Sequence, residues 1–429
     1  MIASNRAAGR CHPASIYFAE ALHVGPLPAA GAASDSPWDA ACRRARAVGA
    51  HTLMIPLPCP ADPQAPFAPR DLDHSAPGDA GAPALAQGVA GLAALCERHG
   101  LDLVLALSLR RVHRACPLAA SHPEWFVGPD EARAHGLDPR LDAMHRITVH
   151  VRTDPSGRAP PAFIADWADR LLGWALAGAA GFCVADLDAL AAPDWRDLIG
   201  QVRAGAPGAR FFGWTPGLSP AHVSDLAGVG LDAVFASLPW WDYRSPWLAE
   251  EHMRLSAVAA VIAPLADAFS GGGDVPPGRQ RLRAAAAAEV AGDAVMIPMG
   301  WEASQPDAHE EQRTLQALRD AVHALQSAPL RGRLHCLPLP GAAGAALLRG
   351  DGWPYSPPPD EPTASPARAV IVNADASAAL VPDWNALRTH LPDGYAILRG
   401  DGTQGELPGS IPPAGSARLT AARAPAVLA

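Results

Sequence analysis

The sequence predicts an α/β protein: a (β/α)₈ TIM barrel followed by a small C-terminal antiparallel β-domain. Three observations carry that expectation. Short apolar runs alternate with longer amphipathic stretches over about the first 300 residues, the runs number eight, and the texture changes beyond a Pro- and Gly-rich connection around 338–366. Strands buried on both faces read as continuous apolar runs, and strand–helix alternation implies parallel pairing with right-handed crossovers. Eight such units favour a closed barrel over an open sheet.

The eight candidate strands are SIYF (15–18), HTLMIP (51–56), LDLVLAL (101–107), GFCVADL (181–187), ARFFGW (209–214), LDAVFAS (231–237), DAFSG (267–271) and DAVMIPM (293–299). Amphipathic segments at 38–48, 84–99, 162–177, 246–262 and 278–290 read as connecting helices. The stretch at 108–160 is too long for an ordinary strand-to-helix connection and is expected to form a loop subdomain. A helix is expected over 306–327, and ARAVIVNAD (367–375), GYAILRG (394–400) and ARLTAARAPAVL (417–428) read as strands between turns. The expected division is a barrel over 1–328, with the subdomain at about 108–160, and a β-domain over 329–429.

Hydrophobic residues make up 49% of the chain and charged residues 18%, enough to bury a sizeable core. Ala, Gly, Pro and Arg dominate at the expense of Lys, a bias of genome composition more than of mechanism. The net charge of −9 argues against a broad nucleic-acid surface and suits a neutral ligand such as a sugar. Seven cysteines are scattered without zinc-ligand spacing, so neither a metal nor another cofactor is expected. The first residues lack the apolar core of a signal peptide, and no apolar run approaches the roughly 20 residues that span a bilayer. The expected location is the cytoplasm, with no membrane partner.

Several phrases carry a family resemblance. HGLDLVLAL followed by SHPEWF (121–126), GFCVAD (181–186), WWDYRSPWLAEE (240–251) and MIPMGWE (296–302) resemble motifs of the α-amylase superfamily, glycoside hydrolase family thirteen. Within it the likeness runs to the bacterial α-1,4-glucan:maltose-1-phosphate maltosyltransferases, over about 15–305. The resemblance implies a barrel with a β-domain after it, and a retaining mechanism. In that mechanism one carboxylate attacks the anomeric carbon and another, about 5–5.5 Å away, protonates the departing oxygen. A third carboxylate steadies the sugar, and an arginine keeps the nucleophile ionised.

Matched to those motifs, Cys183 stands at the arginine position and Ala185 at the nucleophile position. Trp214 stands where the acid/base glutamate belongs, and Ala106 replaces the third-strand aspartate. Asp186 is one residue past Ala185, so strand alternation turns it away from the barrel mouth. Asp274, in SGGGD, is the single candidate for a surviving strand-seven carboxylate.

Trp214, Trp240, Trp241 and Tyr243 fall at predicted strand ends, where barrel proteins place their sites, and aromatic faces stack on sugar rings. Trp240 and Trp241 could equally pack the next helix against the barrel, and Trp125 reads as core. Glu302 could bind sugar or anchor a loop. Asp242 and Arg244 read as an ion pair at a helix N-terminus. His113, His122 and His145 read as structural or solvated, Cys183 as a small buried thiol, and SGGGD as a strand-end turn.

Three functional expectations follow. The favoured one is a degenerate member of the family that binds α-1,4-glucan or maltooligosaccharide, or supports an active maltosyltransferase as partner or fused module. The second is an active α-glucan glycosyltransferase or hydrolase with relocated carboxylates. The third is a structural or assembly scaffold without a sugar site.

Overall fold

The computed structural model describes residues 15–19, 24, 27, 36–63, 65–75, 84–128, 146–267, 269, 276, 278–302, 308–327, 330, 332–339, 341, 343–350, 368–383, 387, 395–398, 404–405, 410–413 and 416–421. Barrel strand one is β1 (Ile16–Phe18); helix α1 (Pro37–Ala47) leads to strand two, β2 (Thr52–Pro56). A short hairpin, β3 (Ala61–Asp62) and β4 (Ala65–Pro69), precedes α2 (Leu85–Arg98) and strand three, β5 (Asp102–Leu107). The long excursion holds β6 (Arg111–His113), α3 (Pro117–Ser121), β7 (Phe126–Val127) and β8 (Thr148–Val151), and α4 (Pro161–Leu176) closes it. Strands four to six are β9 (Gly181–Val184), β10 (Arg210–Gly213) and β11 (Ala233–Phe235), separated by α5 (Ala192–Gly205) and α6 (Pro220–Asp225). Helix α7 (Trp247–Ser256) leads to strand seven, β12 (Ala260–Pro264). Helix α8 (Gly278–Ala291), strand eight, β13 (Ala294–Pro298), and α9 (Ala308–Ser327) complete this half. The C-terminal strands are β14 (Leu334–Pro338), β15 (Gly344–Arg349), β16 (Arg368–Asn373), β17 (Tyr395–Leu398), β18 (Gln404–Gly405) and β19 (Ser416–Ala421).

The eight barrel strands are parallel and close in the order β1-β13-β12-β11-β10-β9-β5-β2. Within the excursion, β6, β8 and β7 make a three-stranded antiparallel sheet. The C-terminal strands form one antiparallel sheet in the order β14-β15-β16-β19-β17-β18. A TIM barrel with a C-terminal antiparallel β-domain is therefore the architecture.

Side-chain alternation sorts the core into two shells. Ile16, Phe18, Met54, Val104, Ala106, Cys183, Phe212, Phe235, Ile262 and Met296 fill the barrel axis. Their neighbours Tyr17, Leu53, Leu105, Phe182, Phe211, Ala263 and Ile297 face the helical layer. The bottom of the axis carries an ion pair, Arg210 to Asp102 at 2.8 Å. Gly181 is required there, since a Cβ would lie 2.5 Å from the Arg210 carbonyl oxygen.

Two expectations are corrected. Strand seven is Ala260–Pro264, not 267–271, and the preceding helix ends at Ser256 instead of running to 262. A stretch of Ala, Val and Ile fits either helix or buried strand, and periodicity alone does not separate them. Here β12 pairs with both β11 and β13, which decides the matter. The Pro- and Gly-rich connection around 338–366 also overlaps structure, because β14 and β15 pair over Leu334–Pro338 and Gly344–Arg349.

Helix α8 joins the two halves. Its alanines at 284–288 let the C-terminal sheet approach closely, and charged groups reach across. Arg283 donates to the Asn373 carbonyl at 2.7 Å, and Arg349 donates to the Gly292 carbonyl at 2.9 Å and pairs with Asp293 at 2.5 Å. Arg418 lies 3.0 Å from Glu289.

Candidate functional site at the barrel mouth

Parallel barrel strands present the side chains at their C-terminal ends to the mouth. Strand four offers Cys183, fully buried in the axis, and its burial pushes the thiol pKa up, so the thiolate is disfavoured. Two residues on, Ala185 shares that face, and its N–H continues the ladder to the Leu107 carbonyl at 2.9 Å. Strand five offers Phe212 and then Trp214, the latter 6% exposed. Ala106 occupies the corresponding face of strand three.

Asp186 turns sideways. It accepts hydrogen bonds from the Ser108 hydroxyl and from Leu109 N–H at 3.3 Å, and Arg110 Nε lies 3.7 Å away. Arg110 also pairs with Asp188. Burial raises the Asp186 pKa, against the opposing pull of Arg110, Arg111 and the Ser108 hydroxyl. The carboxylate thus ties the strand-four end to the strand-three loop.

The corrected strand seven changes which carboxylate stands near its end. Asp274 lies outside the described residues, whereas Asp267 follows Pro264 by three positions. Its Oδ1 accepts the Phe269 N–H at 2.9 Å, a local turn that holds the backbone carrying Phe269. Sequence reasoning missed Asp267 because the strand was placed too late. The signal was the β-branched pair Val261–Ile262 before Pro264.

The aromatic residues separate. Trp214 tilts against Phe235 at 5.2 Å and Phe269 at 4.7 Å, and lies edge-on to Trp240 at 6.3 Å. Phe269 also meets Phe18 at 5.9 Å and Phe67, from β4, at 5.1 Å. Trp240 is 49% exposed on the rim. Trp241 is 2% exposed and donates to the Ser245 carbonyl at 2.8 Å. Tyr243, at φ 60°, lies under the Arg283 guanidinium at 3.8 Å. Trp241 and Tyr243 therefore face the α8 side, away from the axis.

Glu302 is 8% exposed; it accepts the Tyr17 hydroxyl at 2.6 Å and Gly300 N–H at 3.1 Å. Its contacts are those of a loop anchor. Asp242 does not pair with Arg244 through its side chain: its carboxylate accepts the backbone N–H groups of Arg244 and Ser245 and the Ser245 hydroxyl. His122 stacks on Trp125 at 3.8 Å, Trp125 packs edge-on to Phe163, and His113 accepts Ala115 N–H, while His145 lies outside the described residues. Among the described residues no three His, Cys, Asp or Glu side chains form a metal-binding group.

No family model matches the chain. It is 31% identical over 365 residues to the α-1,4-glucan:maltose-1-phosphate maltosyltransferase of Burkholderia pseudomallei strain K96243, a match over 78% of this chain and 31% of that protein. The chain thus spans about a third of the length of that relative. Among solved structures, the α-amylase of Geobacillus thermoleovorans, complexed with acarbose, superposes with TM-score 0.64 at 12% identity, covering 95% of this chain and 98% of that one. The cyclic α-maltosyl-(1→6)-maltose hydrolase of Arthrobacter globiformis gives 0.63 at 16% identity, with the same coverage. In sequence the chain is similar to this maltosyltransferase, and in fold it is the barrel with a C-terminal sheet that the α-amylases share.

In this maltosyltransferase-like barrel, the features least visible in the sequence are those made by distant segments. Ser108, Arg110 and Asp186 are one example, and the Phe18–Phe67–Phe269–Trp214 contacts are another. No helix among the described residues is long and apolar enough to cross a membrane.

Proposed function

We propose that this maltosyltransferase-like barrel binds α-1,4-glucan or maltooligosaccharide without performing double displacement, and supports a catalytic maltosyltransferase as partner or fused module. The observation that carries the proposal is the strand-four and strand-five mouth. Cys183, Ala185 and Trp214 occupy it, and the neighbouring Asp186 is held sideways by Ser108, Leu109 and Arg110. A retaining enzyme needs two carboxyl groups about 5–5.5 Å apart across the scissile bond. Neither strand supplies one to the axis.

Binding without turnover is the test. Calorimetry with maltoheptaose should give a measurable heat of binding, while prolonged incubation leaves the sugar intact by chromatography. Detectable hydrolysis or transfer that scales with protein concentration and survives repurification would overturn the proposal. A scaffold role without any sugar site is the second reading, favoured by the rings that crowd the axis; for that role the same calorimetry should show no heat at all.

A further inference from the structure

We infer that the barrel axis is sealed by an aromatic plug, so that this chain meets an α-glucan side-on across Trp240 instead of taking a chain end into the barrel. This inference rests on the glucan-binding function proposed above. The plug is built from five separate places in the chain. Phe18 comes from strand one, Phe67 from the hairpin after strand two, Trp214 from strand five, Phe235 from strand six and Phe269 from the segment after strand seven. Four contacts link them, Phe18, Phe67 and Trp214 each meeting Phe269 and Trp214 meeting Phe235, with centroids 4.7–5.9 Å apart, within the range of packed rings.

Below the plug the axis is filled by Met54, Val104, Ala106, Cys183, Phe212, Ile262 and Met296, all within 2% of full burial. The plug is thus the top layer of a continuous core. Asp267 accepts the Phe269 N–H, so the strand-seven carboxylate is engaged with the backbone that carries one ring of the plug. A pyranose in the axis would have to displace Trp214 and Phe269 from each other.

Trp240 is different. Its backbone is held in a 3₁₀ turn, with its N–H donating to the Ser237 carbonyl at 3.1 Å, and its ring stands edge-on to Trp214. Half the residue is open to solvent, and among the described side chains it is the one Trp, Tyr or Phe left exposed. Indole has few rotatable bonds and a wide apolar face, so a ring fixed this way loses little entropy on stacking with a sugar. A flat ring on a rim contacts sugar units from the side and has no means of distinguishing a chain end.

The experiment compares a linear and a cyclic seven-glucose probe, maltoheptaose and β-cyclodextrin, by calorimetry on the full chain. Side-on binding predicts affinities within about threefold of each other, since the cyclic sugar has faces but no ends. Trp240→Ala should weaken both by about tenfold or more, and Trp240→Phe should recover much of the loss. Linear binding more than about tenfold tighter than cyclic, or Trp240→Ala without effect, would overturn the inference while leaving glucan binding intact. If neither probe binds, the proposed function itself fails.

Discussion

His252 lies in α7 with 2% exposure, and neither ring nitrogen has a hydrogen-bond partner. Burial lowers its pKa from 6.5 to about 4, helped by nearby Arg349 and opposed by Asp293. The folded state therefore holds the ring neutral while the unfolded chain protonates it below about 6.5. The resulting stability is fully present above pH 6.5 and is lost as pH falls toward 4, by about 3 kcal/mol in all. Urea titrations at pH 7.5, 5.5 and 4.5 should show that decline, and His252→Leu should flatten this part of it. A second residue-scale expectation concerns Ala185. Its backbone continues the strand-four ladder, so Ala185→Asp should fold but release no shorter sugar from maltoheptaose, because Trp214 offers no acid to protonate the departing sugar oxygen. Product above the background of the parent chain would contradict this. Cys183 and Trp214 at inward positions were readable from alternation alone. The burial of Trp241 was not, since it depends on how its loop meets α8 and β14, whereas the turn made by Asp242 closes within residues 242–245.

At the scale of elements, α8 and β15 dock the C-terminal sheet on the barrel. Arg349 is the main pin: it is 5% exposed and touches Gly332, Gly292 and Asp293, the last of which also accepts Val261 N–H at 2.7 Å. Removing one partner of a buried pair leaves the other desolvated and unpaired. Arg349→Met should therefore cost about 2 kcal/mol, discounted because Asp293 stays partly exposed and keeps its backbone donor. Hydrogen exchange should locate the loss in β15, β16 and the start of β13, with β2 and β5 unaffected. Strand seven shows why elements were only partly legible. Residues 257–264 are apolar throughout, and the difference between a helix and a strand there is made by pairing with β11 and β13. The strands with flanking helices of clear period, such as β5 after α2, needed no such help.

For the whole molecule, the net charge of −9 and a neutral ligand together set an expectation about salt. Stacking on an uncharged sugar releases no counterions, and any surface field is screened within about 8 Å at physiological ionic strength. The affinity for maltoheptaose should change by less than about twofold between low and high salt, measured by calorimetry at fixed pH. A steep loss with salt would point to a charged ligand and away from glucan.

The sequence by itself determined the closed parallel barrel, the sheet that follows it and the family likeness. These depend on apolar runs, strand–helix alternation and short motifs, which are properties of contiguous residues. The tertiary structure alone decided what fills the mouth. Phe18, Phe67, Trp214, Phe235 and Phe269 are far apart in sequence, and nothing local in any of them announces the other four. Closure of the barrel brings three strand ends, the β3–β4 hairpin and the segment after strand seven to one axis, where rings either leave room for a ligand or pack against one another. Here they pack, and Trp240 is left outside as the exposed ring.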